Sequence, residues 1–169
     1  LGIDRLGIEI FKRWKKLDIM ISNAATLGTL SPIHHQINEE FIEVLNINAI
    51  SNHRLIRSFD ALLKNSKKPK ALFLTSSLAS KPKPFWGAYS VSKAALEHIV
   101  KIWALENKHN NLSISIIDPG KTDTPMRKIA MPGEGSKNLN KPIHVAKLII
   151  NEIFSDKIYK GEVIKANSS

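Results

Sequence analysis

Tyr89 and Lys93 are the residues of this sequence whose types and spacing most directly suggest chemistry. They lie four positions apart in a segment with helical periodicity, so both side chains project from one face of the helix. An ammonium group so close favours the ionised phenol and is expected to lower the pKa of Tyr89 from its usual value of about 10. The phenol could then act as a general acid or base. The spacing alone equally fits a solvated lysine beside a half-buried tyrosine.

The elements that must position this pair follow from alternating apolar runs and amphipathic segments. Strands are predicted at residues 17–21, 71–75, 113–117 and 162–166. Helices are predicted at residues 2–16, 38–65, 88–108 and 143–154. Residues 121–142 are expected to be irregular, because proline and glycine recur there. The alternation predicts an α/β fold, a doubly wound parallel sheet of Rossmann type, in a single domain over residues 1–169.

A short polar or turn-forming cluster ends each of the first three predicted strands. Asn23 and Ala24 follow the first strand, and the pair Ser76-Ser77 follows the second. Pro119-Gly120 ends the third strand and precedes two threonines. Ligands of open parallel sheets bind outside the carboxyl ends of the strands. The sequence therefore predicts a ligand site at that edge of the sheet.

Taken in this order, these motifs resemble the short-chain dehydrogenase/reductase family from residue 1 to about residue 166. The matching elements are Tyr-Ser-Val-Ser-Lys at 89–93, the paired serines, Asn-Ala-Ala at 23–25 and Pro-Gly-x-x-x-Thr at 119–124. The resemblance implies an oxidoreductase that transfers a hydride between NAD or NADP and a small alcohol or ketone substrate.

The resemblance also implies roles for single residues in catalysis. Tyr89 would exchange a proton with the substrate oxygen, and Lys93 would lower its pKa and hold the nicotinamide ribose. Ser77, the second serine of the pair, would hydrogen-bond the substrate oxygen, although the family's usual distance counted back from Tyr89 ends on Ser76. Asn48 would hold a water molecule that connects Lys93 to solvent.

Cofactor contacts are implied by the same resemblance. Asn23 and Ala24 match the family's contact with the adenosine side, and Pro119-Gly120 would lie beside the nicotinamide. The threonines after that turn would bond the carboxamide or the pyrophosphate. A Pro-Gly pair is equally typical of a purely structural turn. The full set implied is Asn23, Ala24, Tyr89, Lys93, Pro119, Gly120, Thr122 and Thr124.

One departure from the family pattern concerns the amino-terminal part of the sequence. The family begins with a strand and a glycine-rich turn whose backbone amides face the pyrophosphate. The early glycines here, Gly2 and Gly7, fall inside a predicted helix. We therefore expect an N-terminally truncated, partial dehydrogenase domain over residues 1–169, corresponding to the catalytic carboxyl-terminal two-thirds. The sequence is then either a fragment of a longer enzyme or a truncated, inactive remnant that acts only in assembly.

Composition narrows the remaining function classes. Lysine supplies most of the 25 basic residues behind the net charge of +10, and the lysines are scattered along the chain. This pattern favours a basic surface over a nucleic-acid site, which would use clustered arginines and aromatic residues. The six histidines lack a metal-ligand spacing, so no metal is expected.

The sequence also predicts the protein's surroundings. It contains no cysteine, no apolar run long enough to span a membrane and no secretory signal pattern, so a cytoplasmic location is expected. By the resemblance, the helices at 38–65 and 88–108 would form a homo-oligomer.

Overall fold

Four parallel strands form one sheet in the computed structural model, which describes residues 2–166. In spatial order these are β1 (Ile19–Ser22), β2 (Lys70–Leu74), β3 (Ser113–Asp118) and β4 (Lys160–Lys165). Every neighbouring pair is parallel, with Leu72 opposite Ser115 between the two central strands. Each strand overlaps a predicted one, and the predicted α/β fold is confirmed.

Six α-helices accompany the sheet in the described part of the chain. They are α1 (Gly2–Trp14), α2 (Asn38–Leu45), α3 (Ser51–Lys64), α4 (Gly87–Glu106), α5 (Pro125–Ala130) and α6 (Pro142–Phe154). Between residues 2 and 166, none of these helices combines the length and apolar character required to cross a membrane.

The expectation of an irregular segment at 121–142 was wrong, because α5 lies inside it. Thr124 begins this helix, and its hydroxyl accepts a hydrogen bond from the Arg127 N–H at 3.2 Å. Pro125 occupies the first turn, where its missing N–H costs nothing. A capping threonine followed by proline is a typical sequence signal for the start of a helix.

The predicted helix at 38–65 is interrupted by a π-helical turn at Asn46–Ile50. The side chain of Asn52 donates to the backbone carbonyl of Asn48 at 2.8 Å, and the Ser22 hydroxyl donates to the Asn52 side-chain oxygen. Both asparagines are buried. These bonds connect the π-helical turn to the end of β1. The single helix predicted at 38–65 is therefore divided into α2 and α3.

The hydrophobic core lies where α3 and α4 pack on the two central strands. Phe73 and Trp103 meet edge to face there, with ring centroids 6.1 Å apart. β3 is buried along its whole length, as expected for a central parallel strand. The core consists of Met20, Ile56, Phe59, Leu62, Leu63, Ala71, Phe73, Leu96, Val100, Trp103, Ala104, Leu112, Ile114 and Ile116. This core fixes α4, the helix that carries Tyr89 and Lys93, against the sheet.

Candidate active site

A cavity of about 610 Å³ opens at the carboxyl edge of the sheet, between the strand ends and helices α4, α5 and α6. Every residue for which the sequence implied a cofactor contact lines it: Asn23, Ala24, Tyr89, Lys93, Pro119, Gly120, Thr122 and Thr124. The predicted position of a ligand site outside the carboxyl ends of the strands therefore coincides with this cavity.

Tyr89 and Lys93 project together from the first half of α4 into this cavity. The Lys93 ammonium lies 5.8 Å from the centroid of the Tyr89 ring. It is only 3% exposed and donates a hydrogen bond to the Leu74 carbonyl, at the end of β2, at 2.9 Å. The ring of Trp86 packs edge to face on Tyr89, with centroids 5.9 Å apart.

The acid–base properties of this pair differ from the sequence expectation. Burial raises the pKa of the Tyr89 phenol, hydrogen bonding with Ser76 opposes part of that rise, and the charge of Asp118 adds to it. Burial also lowers the pKa of Lys93 to about 8. The predicted lowering of the Tyr89 pKa by Lys93 is therefore wrong for this structure, because loss of solvation dominates both groups.

Ser76, rather than the predicted Ser77, lines the cavity. Thr75 also lines the cavity, while its hydroxyl donates to the Glu97 carboxylate at 2.9 Å. Ser76 then caps a short 3₁₀ turn at Ser77–Ala79, accepting from the Leu78 N–H at 3.3 Å, and Ser77 is left exposed. The count back from Tyr89 was the signal that indicated Ser76.

Asn48 is completely buried and lies behind the cavity rather than on its wall. Its side-chain oxygen accepts from the Thr26 N–H at 2.8 Å. Its amide group donates to the Thr26 carbonyl at 2.8 Å and to the Ser92 hydroxyl at 2.9 Å. Ser92 in turn donates to the Tyr89 carbonyl at 2.7 Å. The Asn48 side chain thus connects the segment after β1 with the turn of α4 that carries Tyr89.

The turn after β3 forms the floor of the cavity. Gly120 has a φ of 65°, and a Cβ atom there would approach the Asn140 side-chain nitrogen to 3.2 Å. Asp118 accepts from the Gly120 N–H at 3.0 Å, and Asn140 donates to the Pro119 carbonyl at 3.1 Å. The Thr122 hydroxyl also donates to Pro119, at 3.1 Å. Glycine is therefore favoured in this turn, and Asn140 is a support that no sequence motif indicated.

A further wall of the cavity is apolar and comes mainly from α5, α6 and the segment before α4. Arg127 also lies on this side, and its guanidinium binds both carboxylate oxygens of Glu134 at 2.5 and 2.7 Å. Within residues 2–166, no group of three or more potential metal-ligating side chains is assembled.

Comparison with known sequences identifies a matching family model and related proteins. A family model described as short chain dehydrogenase matches residues 2–134. The uncharacterized oxidoreductase YciK of Escherichia coli (strain K12) is 30% identical over 146 residues, covering 86% of this chain and 58% of that protein. The benzil reductase ((S)-benzoin forming) of Bacillus cereus is 31% identical over 165 residues, covering 86% of this chain and 66% of that protein. The chain thus spans less than two thirds of the length of these two relatives.

Solved structures agree with this result. A short chain dehydrogenase from Salmonella enterica serovar Typhi superposes with a TM-score of 0.93 at 27% identity, over 98% of this chain and 69% of that chain. A short chain dehydrogenase from Escherichia coli CFT073, complexed with NADPH, gives a TM-score of 0.92 at 28% identity, with the same coverage. Because the family model spans most of the chain and the fold agrees closely, this protein belongs to the short-chain dehydrogenase family.

Proposed function

We propose that this protein transfers a hydride between NAD or NADP and an alcohol or ketone, with Tyr89 as the proton donor and acceptor. The proposal rests mainly on one observation. Tyr89, Lys93 and Ser76 all line the same cavity at the carboxyl edge of the sheet. Membership of an oxidoreductase family supports it. Relatives with NADP or NADPH bound favour NADP as the cofactor.

The state of the Tyr89 phenol suits reduction of a ketone. Because burial raises its pKa above the usual value, the phenol is protonated at neutral pH and can donate to a carbonyl oxygen. In the oxidation direction it would take the same proton back from the alcohol. Ser76 accepts from the Leu78 N–H and hydrogen-bonds with the Tyr89 phenol, so its hydroxyl lies where it can donate to a substrate oxygen held by Tyr89 as negative charge develops there.

The residues present fit the nicotinamide half of a dinucleotide. Gly120 keeps the backbone open where a side chain would meet Asn140. Lys93 has an ammonium beside the cavity that can donate to ribose hydroxyls, and Asn23 and Thr122 offer further polar groups. A bound dinucleotide supplies or accepts the hydride. In residues 2–166, no strand end carries the glycine-rich turn that would approach a pyrophosphate.

The test of the enzyme proposal is Tyr89→Phe, with Tyr159→Phe as the matched control. Tyr159 lies just before β4, outside the cavity lining. Loss of the phenolic proton should lower NADPH-dependent ketone reduction about 100-fold or more, a typical contribution of a positioned acid. Turnover is followed by NADPH absorbance with a panel of ketones. Full turnover by Tyr89→Phe would remove Tyr89 from the proposed reaction.

A second candidate function is that of an inactive protein that acts only in assembly. Ile19 and Ile21 of the edge strand β1 favour it, because they are 39% and 45% exposed. We expect residues 1–169 to bind NADP with an affinity about two powers of ten weaker than micromolar. The reason is that no glycine-rich turn within residues 2–166 aligns several backbone amides at the cavity. Calorimetry with NAD and NADP measures this affinity. Micromolar binding would contradict the expectation and favour the enzyme.

The protein's surroundings stay predictions. Exposed apolar residues on α2 and α4, among them Ile42, Ile102 and Leu105, support a homo-oligomer formed through these helices. Sedimentation of the wild type against Leu105→Glu tests that contact. The cytoplasmic location and the absence of nucleic-acid, membrane and metal partners remain expectations from composition.

A further inference from the structure

We propose that the substrate of this site is an uncharged carbonyl compound with an apolar, ring-containing body. This inference rests on the proposed function and concerns the part of the cavity that faces away from the strand ends. The relevant features are an apolar wall, an arginine that is already paired with a carboxylate, and an aromatic ring beside Tyr89.

The apolar wall is built by side chains from several elements that converge on one space. Val145 and Ile149 lie one turn apart on α6, so a single face of that helix looks into the cavity. Across from them is the segment around the first turn of α4. The wall consists of Leu78, Trp86, Met126, Ala130, Val145 and Ile149. A polar or hydrated substrate would lose water here without gaining hydrogen bonds, whereas an apolar body gains by burial.

The cation beside the apolar wall, Arg127, is already paired with a carboxylate. Among the described residues that line the cavity, the cationic ones are Lys93 and Arg127. Lys93 donates to the Leu74 carbonyl at the strand ends. Arg127 binds Glu134 through both carboxylate oxygens, and Lys121 approaches the same carboxylate to 3.7 Å. A phosphate or carboxylate on the substrate would meet a guanidinium whose charge Glu134 already neutralises.

Trp86 links the apolar wall to the reacting group. Its ring contacts the Tyr89 ring edge to face and also lines the cavity. A flat ring packed on Trp86 would bring a carbonyl attached to that ring toward the phenol. The cavity volume of about 610 Å³ is in the range of pockets that enclose a drug-sized ligand, which leaves room for a ring beside a nicotinamide.

The direct test compares two ketones that differ only by one charge. Acetophenone and para-acetylbenzoate share the ring and the methyl ketone, and saturation-transfer NMR measures the affinity of each for the complete chain. We expect acetophenone to bind at least about tenfold more tightly, because the apolar wall offers the carboxylate no unpaired cation among the described residues. Equal affinities, tighter binding of the carboxylate, or no binding of either compound would overturn the inference.

Two variants locate the binding on the wall. Ile149→Asp places a carboxylate among the apolar side chains and should weaken acetophenone binding about tenfold. Ile150→Asp, on the exposed side of the same helix, is the matched control and should leave it unchanged. Glu134→Gln releases Arg127 and should strengthen para-acetylbenzoate binding about tenfold, with little effect on acetophenone. An equal loss in both α6 variants would place the compound elsewhere.

The outcome is separable from that of the enzyme proposal. Preferential binding of acetophenone without turnover of any ketone would support the substrate class and contradict the hydride transfer. Turnover that depends on Tyr89 but prefers anionic ketones would support the hydride transfer and contradict the substrate class.

Discussion

Two lysines at opposite edges of the sheet, Lys160 and Lys93, have different surroundings. At the amino edge, Lys160 begins β4 and its ammonium donates to three backbone carbonyls, those of Asn107, Asn110 and Leu112, at 2.8 to 3.0 Å. At the carboxyl edge, Lys93 donates to a single carbonyl, that of Leu74, at 2.9 Å. Both groups replace water with carbonyl oxygens, but only Lys160 fills all three of its donor positions within the described chain.

The difference separates a lysine with structural contacts from one that the proposed function assigns to the cofactor. Lys160 closes the carboxyl end of α4, where orphan carbonyls need donors and positive charge is favourable. Lys93 stays desolvated with donors unused, and this lowers its pKa to about 8. A desolvated charge that costs stability at a cavity is typical of groups that serve binding or chemistry, and this supports the proposed role of Lys93.

The largest expected effect is on stability, from Lys160→Met. Removal of three charge-assisted bonds leaves carbonyls without donors and should lower the free energy of unfolding by about 2–4 kcal/mol. Lys93→Met, the matched change at the other edge, should leave the protein at least as stable, because it removes a desolvated charge. Urea unfolding of both variants measures this. A comparable loss of stability in Lys93→Met would contradict the difference inferred between the two lysines.

A smaller effect follows from the pKa of Lys93. Between about pH 8 and pH 10 the unfolded chain binds more protons at this lysine than the folded one, so stability rises with pH across that window. The gain should be about 2 kcal/mol between about pH 7 and pH 10. Above that range the raised pKa of Tyr89 acts against folding, because the unfolded phenol ionises first.

The measurement is the difference between wild type and Lys93→Met in urea unfolding at the two pH values. Taking the difference cancels the parallel contributions of Lys70 and Lys160, whose pKa values burial also lowers. A difference that is independent of pH would mean that Lys93 is better solvated than its 3% exposure implies.

The smallest effect concerns the two serines after β2. Ser76→Ala removes a hydrogen-bonding partner that opposes the rise in the pKa of Tyr89, so that pKa should rise further. Ser77→Ala, the neighbouring control, should leave it unchanged because Ser77 is exposed outside the cavity lining. Absorbance titration of the phenol in a Tyr159→Phe background isolates Tyr89, since the chain contains two tyrosines. A shift in the Ser77 variant alone would restore the predicted serine.

The sequence by itself determined the strands, the parallel α/β fold and the placement of Tyr89 beside Lys93. These depend on local rules: the period of apolar residues, the spacing of one helical turn, and turn residues that end a strand. The same rules put Asn23, the Ser76-Ser77 pair and Gly120 at one edge, because the carboxyl ends of parallel strands lie together. The family was indicated by the resemblance of these motifs, taken in order.

Only the tertiary structure decided how these groups are surrounded. The π-helical turn depends on Asn52 reaching Ser22 at the end of another element, and Asn48 faces Thr26 rather than the cavity. The pKa of Tyr89 rises instead of falling because burial, a property of the whole fold, outweighs the spacing to one lysine. The pairing of Arg127 with Glu134 likewise depends on how the segment after α5 folds back. Sequence spacing fixes which residues can meet, whereas solvation and hydrogen-bond partners are set by packing from distant parts of the chain.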